Sequence, residues 1–145
     1  LLCLPNTAAS VCQSMTFLVP VNADAEHTAA IGQLLSALGG VMVIEERLLP
    51  AGMAVASCGI AYGMRDARAA PEGGGELGMR AGDSLRVVLQ TVAGAAALLQ
   101  QSGTNPEAEI DKVTTPGGFT IRGLNEMEHA GFSSAVIRGL KAGVK

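Results

Sequence analysis

The residues best suited to chemistry lie in one run, Thr115-Pro116-Gly117-Gly118-Phe119-Thr120. Thr115 has the side chain of a helix N-cap, and Pro116 suits the first helical position after it. The next amides belong to Gly117 and Gly118, which carry no Cβ to hold a ligand away. A helix start with bare N–H groups attracts an anion, and a small carboxylate fits such a place. Thr120 sets a hydroxyl one turn further in, able to donate or accept. A second reading needs no ligand: the run is a tight turn whose glycines serve backbone angles. Both readings stay open on the residues alone. Two glycines in a first helical turn cost about 1–2 kcal/mol relative to alanine, which calls for a reason of one kind or the other.

Other candidates are weaker. Gly73-x-Gly75-x-x-Gly78 fits the spacing of a dinucleotide fingerprint, yet it follows a helical pattern instead of a strand. No acid follows at the required distance, because Val87 to Pro106 carries no charge. A loop is the better reading. His27 and His129 are far apart and lack metal-ligand spacing, so both are read as surface residues. Cys58 beside Ser57 has no evident basic partner and is read as a small packed thiol. No metal is expected.

The elements that must position these residues follow from periodicity. Leu1 to Cys3 is expected to be a stub, turned by Pro5-Asn6-Thr7. Met15 to Val19 has the pattern of a short buried strand ended by Pro20. Asp24 caps a helix through Leu38, Gly39-Gly40 stops it, and Val41 to Ile44 is a second strand. Such a βαβ unit buries too little to stand alone, and is expected to be the end of a larger sheet. After Glu46 the period is helical throughout. Met53, Ser57, Ile60, Met64 and Ala67 follow it up to Pro71, which is expected to break the helix. Asp83 is expected to cap the next one, with Leu85, Val88, Leu89, Val92, Ala96 and Leu99 in a stripe. Short helices follow from Asn105-Pro106, from Thr115, and from Ser133, with Lys141 and Lys145 suiting the last helix's dipole.

Composition narrows the function classes. The chain has 145 residues, 48% hydrophobic and 16% charged, with 1 Tyr, 3 Phe and no Trp. Disorder is excluded. A net charge of −3 argues against nucleic acid or an anionic membrane as partner. Gln90, Thr91, Gln100 and Gln101 argue against a membrane span in the uncharged stretch. Three widely spaced cysteines make no disulfide framework, so a cytoplasmic protein is expected. So much apolar surface on so small a chain is expected to close against another subunit. The opening Leu1, in place of Met, is read as the start of a piece of something longer.

Asp111-Lys112-Val113-Thr114-Thr115-Pro116-Gly117-Gly118-Phe119-Thr120-Ile121 resembles the signature of the pyrroline-5-carboxylate reductase family. The likeness extends through Gly123-Leu124, Glu128 and Gly131-Phe132. It also takes in Leu4-Pro5-Asn6-Thr7 and Gln90-Thr91-Val92-Ala93-Gly94-Ala95. The resemblance implies a Rossmann domain for NAD or NADP followed by an all-helical dimerisation domain like that of 6-phosphogluconate dehydrogenases. Residues 1–46 would be the tail of the first, and 47–145 the helical, substrate-binding domain of an intertwined homodimer that can assemble further. The glycine-rich cofactor loop would lie upstream, leaving the isolated piece inactive. Thr115, Gly117 and Gly118 would hold the substrate carboxylate. Thr120 would be the catalytic hydroxyl at the ring nitrogen, and Asn6 would lie at the nicotinamide end of the cofactor. The reaction implied is hydride transfer from NAD(P)H to the C=N bond of 1-pyrroline-5-carboxylate, giving proline.

The chain also departs from that pattern. Ala56-Ser57-Cys58-Gly59-Ile60-Ala61-Tyr62 stands where the family has Ser-Gly-Ser-Gly-Pro-Ala-Tyr, and is expected to be a more regular helix start. Thr115 replaces a Ser, Ala8 a Pro, and Pro71 interrupts a helix. Two alternatives follow: a non-catalytic dimerisation or interaction module, and a reductase of another small imino or hydroxy acid.

Overall fold

Ser14–Val19 (β2) is the most deeply buried segment of the computed structural model, which describes residues 1–144. Thr16 and Leu18 are wholly inaccessible, and Phe17 and Val19 nearly so. A strand buried on both faces must pair its backbone on both edges. On one edge lies Gly39–Val43 (β3), parallel, with Thr16 opposite Val41. On the other lies Leu2–Pro5 (β1), antiparallel, with Leu4 opposite Phe17. The expected N-terminal stub is thus a strand; the need to satisfy β2's second edge outweighs its short length. Ala25–Leu35 (α1) makes the crossover between the parallel strands, completing the expected βαβ unit.

Asp24 caps α1 as expected, accepting from the His27 amide at 2.8 Å. That bond, and a second from the His27 ring, hold the Asp24 carboxyl below the ordinary carboxylate range. Gly39 begins β3 at φ +138°, against the backbone of Ser14, where no Cβ fits. The glycine pair therefore belongs to the strand, and the sheet starts two residues earlier than the apolar run indicates.

The chain divides into two compact units, residues 1–63 with those from 137 on, and residues 64–136. In the first, Leu49–Gly52 (α2) passes into a π-helical turn, Met53–Cys58, and then into Gly59–Glu76 (α3). Gly52 lies on the Phe17 ring, where an added Cβ would sit 2.9 Å from the ring edge. The end of Phe132–Ala142 (α7) closes this unit, with the Tyr62 hydroxyl donating to the Gly139 carbonyl at 3.1 Å.

In the second unit α3 runs straight through Pro71, contrary to the expected break. Neighbouring helix α4 (Ala81–Ser102) meets α3 at this point. Ser84, only 1% exposed, donates to the Pro71 carbonyl at 3.1 Å. One turn on, Gly74 gives the Ser84 side chain the room that any Cβ would take. The tract expected as a loop is therefore the last turn of α3, closed by Gly78 at φ +94° with bonds from Gly78 to Gly75 (3.0 Å) and Met79 to Gly74 (3.0 Å). This is a Schellman cap. Such a placement agrees with setting aside the dinucleotide fingerprint.

Helix α4 starts at Ala81 with Arg80 as its cap residue, so Asp83 lies in the first turn instead of capping it. There it accepts from Arg80 at 2.9 Å and suits the dipole. Pro106–Val113 (α5) is capped by Asn105, which accepts from Glu107 at 2.9 Å. Phe119–His129 (α6) and α7 follow, with Gly131 at φ +84° between them. Helix α7 begins at Phe132, one residue before the expected Ser133; Lys141 lies in its last turn, and Lys145 is outside the described residues.

The apolar side chains buried among the described residues are Phe17, Leu18, Val19 and Ala54. Along α4 the uncharged stretch is open: Leu89 is 51% exposed and Leu98 58%. Among the described residues, no helix is long and apolar enough to cross a membrane.

Candidate functional site

Local geometry around Thr115 settles where α6 begins. The Gly118 amide donates to the Thr115 carbonyl at 2.9 Å, and Gly117 has φ +71°. Proline followed by a left-handed glycine, closed by that bond, is a type II turn. Gly118, at φ −68° and ψ 171°, is then the cap residue of α6. The expectation of Thr115 as N-cap with Pro116 in the first turn is corrected: the helix starts three residues later. A proline–glycine pair satisfies a turn as readily as a helix start, and here the turn takes both.

Each glycine has a local reason. Gly117 needs the left-handed conformation, which costs a residue with a Cβ about 1–2 kcal/mol. Gly118 passes under the Thr115 side chain, where a Cβ would press on its hydroxyl oxygen. The turn reading therefore accounts for the glycines themselves. The Gly118 amide is engaged and is not a bare donor.

Some amides of the run remain without partners. Gly117, and Phe119 and Thr120 of the first turn of α6, have amides without an acceptor among the described residues. The first-turn amides of any helix lack intrahelical partners and sit at the positive end of its dipole. Thr115, Pro116, Gly117 and Thr120 are exposed, and Phe119 is 91% exposed. Thr120 is the second helical residue, its hydroxyl free of partners among the described residues. The turn therefore presents a row of donors and one alcohol to whatever faces it.

The support beneath the turn is α5. The Thr114 hydroxyl donates back to the Ile110 carbonyl at 3.1 Å. Glu109 accepts from Lys112 at 2.7 Å and from Thr104 at 2.7 Å, which ties the helix to the loop before it. Lys112 foremost holds the Glu109 carboxyl below the ordinary range. Glu109 was not singled out from sequence; its i,i+3 spacing to Lys112 was the available signal.

Asn6 lies in the first unit. Its Oδ1 accepts from the Ala8 amide at 3.2 Å, and its Nδ2 donates to the Ala56 carbonyl at 3.1 Å. Ser57 and Cys58 lie in the π-helical turn, half-buried. The expected regular helix start at Ala56–Tyr62 is thus the end of a π turn within a continuing helical path. His27 and His129 are exposed, as expected. Among the described residues, no three His, Cys, Asp or Glu side chains cluster as metal ligands. Among the described residues, no strand, glycine-rich turn and helix succeed one another in the order of a dinucleotide's phosphate cradle.

The pyrroline-5-carboxylate reductase dimerisation family matches residues 46–145. Pyrroline-5-carboxylate reductase 1 of Dictyostelium discoideum is 45% identical over 150 residues, covering 94% of this chain and 27% of that protein. Pyrroline-5-carboxylate reductase 2 of Bacillus subtilis is 34% identical, covering 98% of this chain and 51% of that protein. The chain thus spans about half, or less, of the relatives' length. Among solved structures, a Coxiella burnetii pyrroline-5-carboxylate reductase superposes with a TM-score of 0.93 at 26% identity, over 98% of this chain and 53% of that one. A Plasmodium falciparum pyrroline carboxylate reductase with NADP bound shares the fold, with a TM-score of 0.90 at 23% identity, over 98% of this chain and 59% of that one. On the family match and these likenesses, the chain belongs to the pyrroline-5-carboxylate reductase family.

Proposed function

We propose that the whole protein reduces 1-pyrroline-5-carboxylate to proline with NADH or NADPH. Residues 1–46 belong to the end of its cofactor domain, and residues 47–145 make its helical dimerisation and substrate-binding domain. The observation that carries the reading is the exposed Thr115–Thr120 turn, with its unengaged amides, in a chain of this family.

Within this reading the amides of Gly117 and of the first turn of α6 hold the substrate carboxylate. Gly118 and Thr115 shape the turn that presents them. The Thr120 hydroxyl meets the ring nitrogen and orients the C=N bond. When bound, a reduced nicotinamide would supply the hydride taken up by the imine carbon, with the nitrogen ending protonated. An imine that enters protonated needs no side-chain acid, which agrees with a site built of amides and one alcohol. Orientation is the protein's share of the catalysis. Asn6 lies toward the nicotinamide end of the bound cofactor, as the family resemblance implies. The exposed apolar side chains of α4 pair with a second copy of the chain, and the cytoplasm is the compartment.

The test is oxidation of NADH or NADPH by the full-length protein on addition of 1-pyrroline-5-carboxylate. Proline should accumulate in step with the oxidised cofactor. A folded sample that turns over neither cofactor would overturn the reading in favour of a module that kept the helices alone.

A further inference from the structure

The helical path Leu49–Glu76 holds a π-helical turn at Met53–Cys58. Such turns are rare, persist where the surroundings hold them, and gather at functional sites. Two holds are visible. Gly52 rests on the ring of Phe17, a residue of the buried strand β2. The Asn6 Nδ2 reaches the Ala56 carbonyl, 50 residues on, at 3.1 Å. The turn's own bonding is of the long type, the Gly59 amide donating to the Ala54 carbonyl.

The other end of Asn6 is also engaged, its Oδ1 capping the 3-10 turn Thr7–Val11 at the Ala8 amide. The side chain is a bracket with protein at both ends. One protein partner at each polar atom fixes the plane of the amide, so its orientation is set by the Ala8 and Ala56 contacts.

We propose that Asn6 is a positioning residue, fixing the π-helical turn and with it Ser57 and Cys58, and that it affects the reaction through that turn instead of gripping the dinucleotide. The proposal rests on the reductase reading. The mechanism is simple. The turn has one more residue per cycle than an α-helix, so its register decides where Ser57 and the following residues face. Without the Asn6 donor the Ala56 carbonyl loses its outside partner, and an α-helical register competes.

Asn6→Asp separates the two roles in the full-length protein. The carboxylate still accepts from Ala8 but has no hydrogen for Ala56. Three quantities are measured: amide hydrogen exchange over residues 57–61, equilibrium binding of whichever reduced cofactor the wild type takes, and kcat against KM. We expect exchange in that segment to rise at least tenfold, cofactor Kd to stay within twofold, and kcat to fall about tenfold with the cofactor KM unmoved. Gly52→Ala disturbs the same turn from the Phe17 side without touching Asn6, and should give the same signature. Should Asn6→Asp fail to fold, that second variant decides. A cofactor Kd raised tenfold with exchange unchanged makes Asn6 a direct contact and overturns the proposal, as does a kcat that ignores both variants. A wild type without turnover sinks the reductase reading and this role together, whereas an active wild type with flat exchange in the variants sinks the bracket alone.

Discussion

Thr120 has the plainest task in the proposed site: one hydroxyl, free of protein partners among the described residues, on the second residue of a helix. Thr120→Ala removes that hydroxyl and little else, since the residue is exposed. We expect kcat to fall about 10–100-fold with melting temperature unchanged, the loss of one oriented hydrogen bond. Thr120→Ser should restore most of it, and an unchanged rate in the alanine variant removes Thr120 from the site. Gly117→Ala works differently. It forces a Cβ into a left-handed residue and should cost about 1–2 kcal/mol in urea unfolding. The residues of this run were legible in the sequence, because Thr, Pro and Gly each have few structural uses. Their register was not. Thr115 at the head of Pro-Gly-Gly satisfies the rules of a helix cap and of a type II turn equally, and only the Gly118–Thr115 bond decides between them.

Elements show the same division between pattern and partner. The strand β2, the helix α1 with its Asp24 cap, and the short helix after Asn105 all follow from local chemistry, although α1 ends at Leu35 and a 3-10 turn, Ser36–Leu38, completes the stretch expected as helix. Pro71 and the glycine tract mislead, because α3 continues through both, with Ser84 of another helix bonded to the Pro71 carbonyl and set against Gly74. Strand β1 is likewise invisible locally: Leu2–Pro5 becomes a strand because β2 needs an edge. The glycine tract offers a sharp check. Gly73 and Gly75 have open space where a Cβ would stand, while Gly74 has Ser84. Gly73→Ala and Gly75→Ala should each stabilise by about 0.5–1 kcal/mol, the ordinary helical gain. Gly74→Ala should destabilise by about 1–3 kcal/mol despite the same gain, through overpacking. Denaturant midpoints of the three variants measured side by side give the answer, and three equal effects would refute the α3–α4 packing.

At the scale of the molecule, the few apolar side chains buried among the described residues contrast with α4, where Leu85, Leu89 and Val92 are exposed along one face and Val87 and Leu98 on the other. That imbalance was legible in the composition, with 48% hydrophobic residues against 16% charged. Which faces would carry it was not. In the proposed dimer, Leu89→Asp combined with Val92→Asp buries unpaired charge at the pairing face and should halve the mass seen by light scattering. An unchanged mass places the pairing elsewhere. The small private core of each chain has one more consequence. In the proposed dimer, two copies supply each other's interior, so folding and association merge into one equilibrium, and dilution itself acts as a denaturant. Each tenfold drop in concentration then removes about 1.4 kcal/mol per pair, so the melting temperature becomes a reading of abundance.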